Sequence, residues 1–303
     1  MQHDPCQAYL TSLTSPKSIR VARASLNAFA RCHGCESHET FCWSDLSAGH
    51  IAHFNQQQIS EGKSPNTINM RLSLLKSVAQ QARLLHIISA DEHERIKAIK
   101  RIKGRREPAG RFIEDDEFRY IIRSIKAQAE AEKPNPAIRR DLAILAVARY
   151  GGLRRTELAL LDLEDCNWGD MSLRIKGKGN NRRDQALPEF VIDIISDWID
   201  VRGEHHGPLF TRIRRHGTVT PDRLTDQGIY YIVTTMQERT GLEAVKPHDI
   251  RRTYCTSLLD EGNDLSVVSD LMGHADIRTT KIYDRRDATT RTRVARSQKN
   301  IFQ

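Results

Sequence analysis

Residues 246–286 read KPHDIRRTYCTSLLDEGNDLSVVSDLMGHADIRTTKIYDRR, and this stretch contains three apolar segments with helical spacing. The first segment begins at Pro247, which the first turn of a helix tolerates because its missing N–H would have no partner there. His248 and Arg251 stand three residues apart, so their side chains share one face of the helix. The stretch therefore predicts a helix that presents an imidazole and a guanidinium side by side.

The two following segments add a histidine and a tyrosine. A helix is predicted from Leu265 to Met272, after an N-cap at Asp264, and it ends at Gly273. His274 follows directly, and Tyr283 stands nine positions further on in a third short segment, predicted over 277–284. Taken singly, His248 fits a helix cap, His274 a loop residue and Tyr283 a half-buried core tyrosine. Taken together they indicate phosphate chemistry.

This arrangement resembles the motif of the tyrosine recombinases, the phage-integrase family. Their motif is His-x-x-Arg, then Leu-(Leu/Met)-Gly-His, then a tyrosine nine positions past that histidine. The matching residues here are His248, Arg251, the segment 271–274 and Tyr283. The resemblance implies that His248, Arg251 and His274 are catalytic and that Tyr283 is the nucleophile.

Two upstream segments extend the resemblance. The segment 151–158, GGLRRTEL, is similar to the family's G-L-R-x-(S/T)-E-L, which implies that Arg154 is the first catalytic arginine. Glu157 then corresponds to an acid that orients the site, although a buried salt bridge would also explain it. The glycine-rich turn 176–182 resembles the turn that presents the catalytic lysine, which implies Lys178 rather than its neighbour Lys176. The Walker pattern G-x-x-x-x-G-K-(S/T) is absent.

The length and the charge of the chain indicate the number of domains and the kind of partner. A chain of 303 residues favours two domains. The net charge of +8 and the pI near 9.3 favour a polyanionic partner, most commonly nucleic acid. The first ten residues lack the basic and apolar regions of a signal peptide, and no apolar run is long enough to span a membrane. We therefore expect a cytoplasmic, nucleoid-associated protein.

The predicted elements divide the chain in two around a basic linker. Residues 1–103 form a helical domain, 104–112 the linker and 113–303 the catalytic domain. Helices are predicted over 15–31, 47–58, from 64 onward, 90–102, 114–132, 137–150, 189–201 and 225–240, with short strands near 165–168, 171–175 and 184–187 and a loop over 203–217. The fold class is mainly α with a small antiparallel β-sheet (α+β). By resemblance, the first domain is a core-binding DNA-binding domain.

Basic and polar residues on the third helix and in the linker are candidate DNA contacts. A basic linker can lie along a phosphate backbone, while the bland alternatives are a solvated helix face and a solvated hinge. The candidates are Lys63, Asn66, Thr67, Arg71, Lys103, Arg105 and Arg106.

The six cysteines are expected to be thiols rather than disulfides in a cytoplasmic chain. One cluster, Cys32, Cys35, His38 and Cys42, offers four possible zinc ligands. The resembling family needs no metal there, and free thiols are the other interpretation.

The function implied by the resemblance is site-specific DNA recombination through a 3′-phosphotyrosine, used for integration, excision or dimer resolution. It implies no metal, no cofactor, and a homotetramer on double-stranded DNA with paired recombination sites. The alternatives are relaxation of DNA by a type IB topoisomerase and a non-catalytic DNA-binding regulator on the same fold. The apolar pair Ile301-Phe302 ends a basic tail and, together with the resemblance, predicts that this tail docks on a neighbouring protomer. The alternative is that residues 285–299 are a disordered basic arm that only adds phosphate contacts.

Overall fold

The computed structural model describes residues 4–104, 110–131, 135–177 and 182–285. The chain divides into two compact units, Met1–Glu107 and Pro108–Gln303. The division lies inside the linker predicted at 104–112. In the described ranges, no helix has the length and apolarity needed to cross a membrane.

Serine caps begin four of the five α-helices of the first unit, whose described part contains no β-strand. Ser15, Ser47, Ser64 and Ser89 each accept a backbone N–H of the following first turn through the hydroxyl oxygen. The helices are α1 Pro5–Thr11, α2 Pro16–Cys32, α3 Ala48–Ser60, α4 Pro65–Leu84 and α5 Ala90–Ala98. Helix α1 had no counterpart among the predicted helices.

Helix α5 ends four residues before the predicted limit of Ile102. Tertiary bonds hold the chain beyond Ala98 in a non-helical path, because Lys76 Nζ donates to the carbonyls of Lys97 and Ile99. Asn69 pairs with both the N–H and the C=O of Ile102, each at 2.9 Å. These side chains of α4 replace the helical partners that a longer α5 would have used.

The second unit packs helices around two small antiparallel sheets. The first sheet has the order β1-β2-β3, with Leu173 opposite Gln185, and the second pairs β4 with β5. The prediction of a loop over 203–217 was wrong, because β4 lies within it and pairs across a short turn. The elements are α6 Asp115–Ala131, α7 Pro136–Gly151, α8 Arg155–Leu160, β1 Cys166–Asn167, β2 Ser172–Lys176, β3 Arg182–Ala186, α9 Glu189–Arg202, β4 Thr211–Ile213, β5 Val219–Arg223, α10 Asp226–Thr240, α11 Pro247–Asp260, α12 Leu265–Leu271 and α13 Ile277–Lys281.

Helix α7 is the central element of this unit, and its end positions the candidate site. It is buried along most of its length and packs against α9, whose Trp198 is fully buried. The helix stops at Gly152, which has a φ of +60°. A Cβ at Gly152 would lie 2.1 Å from Cδ1 of Tyr254, so only glycine fits here. This left-handed turn directs the next residues, beginning with Arg154, toward α11.

Candidate active site

Glu157 is the buried centre of the candidate site. Its carboxylate accepts hydrogen bonds from Arg154 Nη1 at 2.7 Å and from the Arg154 backbone N–H at 2.8 Å. It also accepts bonds from both terminal nitrogens of Arg183, at 3.3 and 3.0 Å, and Arg251 lies 3.8 Å away. Burial acts to raise the pKa of Glu157, but the bonds from Arg183 and Arg154 outweigh it and hold the pKa below its usual value. The carboxylate is therefore ionised at neutral pH.

Both predicted catalytic arginines are held by backbone carbonyls as well. Arg251 donates to the oxygens of Gly152 and Met272, each at 2.5 Å, and Arg154 donates to Gly273 at 2.8 Å. Burial, followed by repulsion from Arg154, lowers the pKa of Arg251 to about 10, so it stays charged at neutral pH. The carbonyls of the turn after α12 thus accept hydrogen bonds from both guanidinium groups, which places His274 beside them.

Tyr283 lies next to His248, at the start of α11. Its hydroxyl oxygen is 3.3 Å from His248 Nε2. The Tyr283 ring packs near that of His274, with 6.5 Å between the ring centroids and 23° between the planes. Burial raises the pKa of Tyr283, as does the neighbouring Cys255, while Arg251 and Arg252 oppose the shift. The structure therefore brings together five of the six predicted catalytic residues, Arg154, His248, Arg251, His274 and Tyr283.

The environment of His274 identifies a partner that the sequence analysis did not name. Thr280 is fully buried, and its Oγ1 lies 2.7 Å from His274 Nδ1. Burial lowers the pKa of His274 to about 4, and Arg251 and Arg154 add to the effect. The imidazole is therefore neutral at pH 7.

Of the two lysines in the predicted hairpin, Lys176 is paired with acidic residues of the same unit. Lys176 Nζ lies 2.8 Å from Asp162 and 3.1 Å from Asp165, and these bonds raise its pKa. The Lys176 ammonium is therefore already paired with two carboxylates of the segment 162–165. Lys178 lies outside the described residues, so its catalytic role stays a prediction.

The candidate DNA contacts of the first unit differ in how far they are engaged within the protein. Thr67 Oγ1 is 2.9 Å from Ser64 Oγ, and Arg71 donates to Gln58 at 3.0 Å and lies over the Phe54 ring. Lys63, Asn66 and Lys103 are exposed, and Lys63 Nζ lies 3.6 Å from a carboxylate oxygen of Glu61. Arg105 and Arg106 lie outside the described residues. All seven stay predictions as DNA contacts.

The cysteine cluster does not assemble as a metal site in the part of the chain that the structure describes. No group of three or more His, Cys, Asp or Glu residues suited to a metal occurs there. The ring of the buried His38 lies 2.6 Å from Asn27 Oδ1, and Cys42 contacts Ser44. Cys32 and Cys35 are free thiols.

Comparison with known proteins decides the family. The sequence model of a protein family described as "Phage integrase family" matches residues 111–290, more than half of the chain. The chain belongs to the phage integrase family. The tyrosine recombinase XerC of Corynebacterium glutamicum is 30% identical over 234 residues, which cover 74% of this chain and 69% of the relative. This protein is accordingly a tyrosine recombinase, a site-specific DNA recombinase that cleaves and rejoins DNA.

Solved structures agree on the fold. A Tn1549 transposon integrase in complex with circular intermediate DNA has a TM-score of 0.70 at 16% identity and covers 98% of this chain and 100% of that chain. A lambda integrase dimer bound to a COC′ core site has a TM-score of 0.68 at 16% identity, with 99% and 98% covered. The relatives do not favour a topoisomerase or a non-catalytic regulator.

The low pKa of His274 leads to a testable pH dependence. An unfolded histidine binds a proton below about 6.5, whereas His274 in the folded protein does so only near pH 4. The free energy of unfolding should therefore fall as the pH drops from about 6.5 to about 4, and NMR titration should give the imidazole a pKa near 4. His274→Gln should lose that part of the pH dependence. A measured pKa above 6 would contradict the described burial.

Proposed function

We propose that Tyr283 attacks a DNA phosphodiester to give a 3′-phosphotyrosine and a free 5′-hydroxyl, and that a 5′-hydroxyl from a second site then reverses the step. The observation that carries this proposal is the 3.3 Å separation between the Tyr283 hydroxyl and His248 Nε2, beside the charged guanidinium of Arg251. The covalent intermediate keeps the free energy of the phosphodiester, so the reaction requires neither ATP nor a metal. The outcome is integration, excision or dimer resolution.

The guanidinium groups of Arg154 and Arg251 bind the non-bridging phosphate oxygens. A planar fork of donors matches two phosphate oxygens and favours the transition state, in which their negative charge is greatest. The Arg154 side chain is 41% exposed, which leaves it open to a phosphate, whereas the Arg251 side chain is 6% exposed and binds the phosphate from the buried side of the site. Glu157 holds both groups in place without reaching the substrate.

The two histidines handle protons and hydrogen bonds. His248 accepts the phenolic proton, because a phenol with a raised pKa needs a base within reach to become a nucleophile. His274 stays neutral, and we assign it the tautomer in which Nδ1 accepts a hydrogen bond from the Thr280 hydroxyl. That tautomer leaves Nε2–H free to donate to a non-bridging oxygen.

Lys178 protonates the leaving 5′-oxygen, by its place in the family's hairpin. Replacing that bridging oxygen with sulfur gives a leaving group that needs no proton. Lys178→Ala should lose roughly 10²–10⁴-fold in cleavage rate on normal DNA and recover most of it on the sulfur substrate. Lys176→Ala is the matched control and should show no such selective rescue. Equal impairment of Lys178→Ala on both substrates would contradict the general-acid role.

Double-stranded DNA is the partner, and the working assembly is a homotetramer on two recombination sites. The first unit is the core-binding domain, and the candidate contacts and the basic linker add phosphate contacts around the duplex. The tail beyond residue 285 lies outside the described residues, and its docking on a neighbouring protomer stays part of this proposal. The enzyme acts in the cytoplasm, at the nucleoid.

A plasmid assay tests the proposed reaction. The DNA that flanks the gene is searched for inverted repeats separated by a short spacer, and two copies are placed on one supercoiled plasmid. Recombinant circles, dependent on both copies, are the expected product. Relaxed topoisomers without recombinants would indicate a topoisomerase, and binding without any cleavage would indicate a regulator.

A further inference from the structure

Arg183 lies on β3 and bonds Glu157, the carboxylate that also bonds Arg154. The proposed mechanism gives Arg183 no role. Its side chain is only 18% exposed, and its Nη1 and Nη2 donate to the two oxygens of Glu157. Arg154 bonds the same two oxygens through its guanidinium and its backbone N–H. One buried carboxylate is therefore shared between two guanidinium groups, of which only Arg154 is exposed enough to meet a phosphate.

Arg183 also packs against the turn that carries His274. Gly273 has a φ of +58°, and a Cβ there would lie 2.7 Å from Arg183 Nη1. The carbonyl of the same Gly273 accepts a bond from Arg154. The guanidinium of Arg183 thus touches the backbone next to one catalytic residue and shares a carboxylate with another.

Charge balance explains why this sharing matters. A carboxylate bonded by one arginine alone attracts that arginine with its full negative charge. A second guanidinium bonded to the same carboxylate neutralises part of that charge and weakens the attraction. Without Arg183, Glu157 would hold Arg154 more tightly, and the Gly273 turn would lose the group that it packs against. The first change would draw positive charge away from the phosphate, and the second would let the turn that carries His274 shift away from it.

The geometry points to Arg183 as a positioning residue that shares Glu157 with Arg154 and so holds the Arg154 guanidinium and the His274 turn where the scissile phosphate binds. Arg183 itself does not contact DNA, because its Nε is buried and its terminal nitrogens face Glu157. This inference rests on the proposed role of Arg154 at the phosphate.

The test uses single-turnover cleavage of a nicked suicide duplex that carries the recombination site. Arg183→Gln should lower the cleavage rate about 100-fold, in the range seen when a transition-state donor is lost, with less than about a threefold change in DNA affinity. The control Arg174→Gln removes the same charge from the same sheet at a side chain that is 51% exposed, and should cleave at the parental rate. Arg183→Lys, which keeps the charge, should recover part of the loss.

A methylphosphonate substrate separates positioning from general stability. A methyl group in place of a non-bridging oxygen makes the linkage neutral, so the guanidinium groups contribute less to its transition state. Arg183→Gln should then be impaired less than about fivefold, and on normal DNA the double variant Arg154→Gln/Arg183→Gln should lose clearly less than the two single losses combined. NMR should also show a higher pKa for His274 in Arg183→Gln, since Arg183 is one of the charges that lower it.

The outcomes distinguish this inference from the proposed function. Equal losses on both substrates, additive losses in the double variant, or a loss confined to DNA affinity would each overturn the role of Arg183. If Arg183→Gln does not fold, the same comparison is made with Arg183→Lys. A loss of cleavage rate relative to the parental enzyme that is confined to normal DNA supports the role. Equal relative losses on both substrates, or no loss on either, overturn it. Failure of the proposed function would appear separately, as a parental enzyme that forms no adduct at Tyr283.

Discussion

Replacing Tyr283 with phenylalanine should abolish covalent capture of DNA while leaving DNA binding intact. The ring packs in a small core with Tyr254, Leu259, Val268 and Met272, and phenylalanine fills the same space. Only the hydroxyl and its contact with His248 are lost, so the free energy of unfolding should change by about 1 kcal/mol or less. The cleavage rate should fall by at least about 10⁴-fold, as expected when a nucleophile is removed.

The measurement is formation of a denaturant-resistant protein–DNA adduct on a nicked suicide substrate, with DNA affinity followed in parallel. Tyr254→Phe is the matched control, because Tyr254 is buried in the same core and its hydroxyl accepts a bond from Gln185 at 3.2 Å. That variant should still form the adduct. An adduct that persists in Tyr283→Phe would show that another residue is the nucleophile.

Replacing Arg251 with glutamine should damage both chemistry and stability. The Arg251 side chain is 6% exposed, and its loss removes a charge from beside the phosphate, which should lower the cleavage rate by about 10³-fold. Glutamine cannot span the carbonyls of Gly152 and Met272 together, so at least one buried acceptor loses its donor. The free energy of unfolding should fall by about 1–3 kcal/mol.

A second buried arginine separates the two effects. Arg140 pairs with Asp141 at 2.8 Å and donates to the Thr211 carbonyl, away from the candidate site. Arg140→Gln should lower the free energy of unfolding by a similar amount and leave the cleavage rate per folded molecule close to parental. If Arg251→Gln cleaved as well as Arg140→Gln, Arg251 would be a structural residue only.

The features that the sequence determined by itself are local ones. Helix starts follow from short-range chemistry, since a serine hydroxyl caps N–H groups only two or three residues ahead, as at Ser15 and Ser64. The motif is local in the same sense, because His248 and Arg251 share a helical face and His274 and Tyr283 flank one short helix. These relations hold wherever the segment lies in the fold, so the family could be predicted, together with a set of candidate catalytic residues of which the structure brings five together.

The tertiary structure decided which side chains meet across the chain. The motif spacing favours Lys178 over Lys176, and only the structure shows that Lys176 is bonded to Asp162, fourteen residues upstream. Arg183 gained a role only because β3 brings it to Glu157, 26 residues earlier. The need for glycine at position 152 likewise depends on the ring of Tyr254. Pairings at such separations depend on how helices and strands pack, and neither periodicity nor motif spacing carries that information.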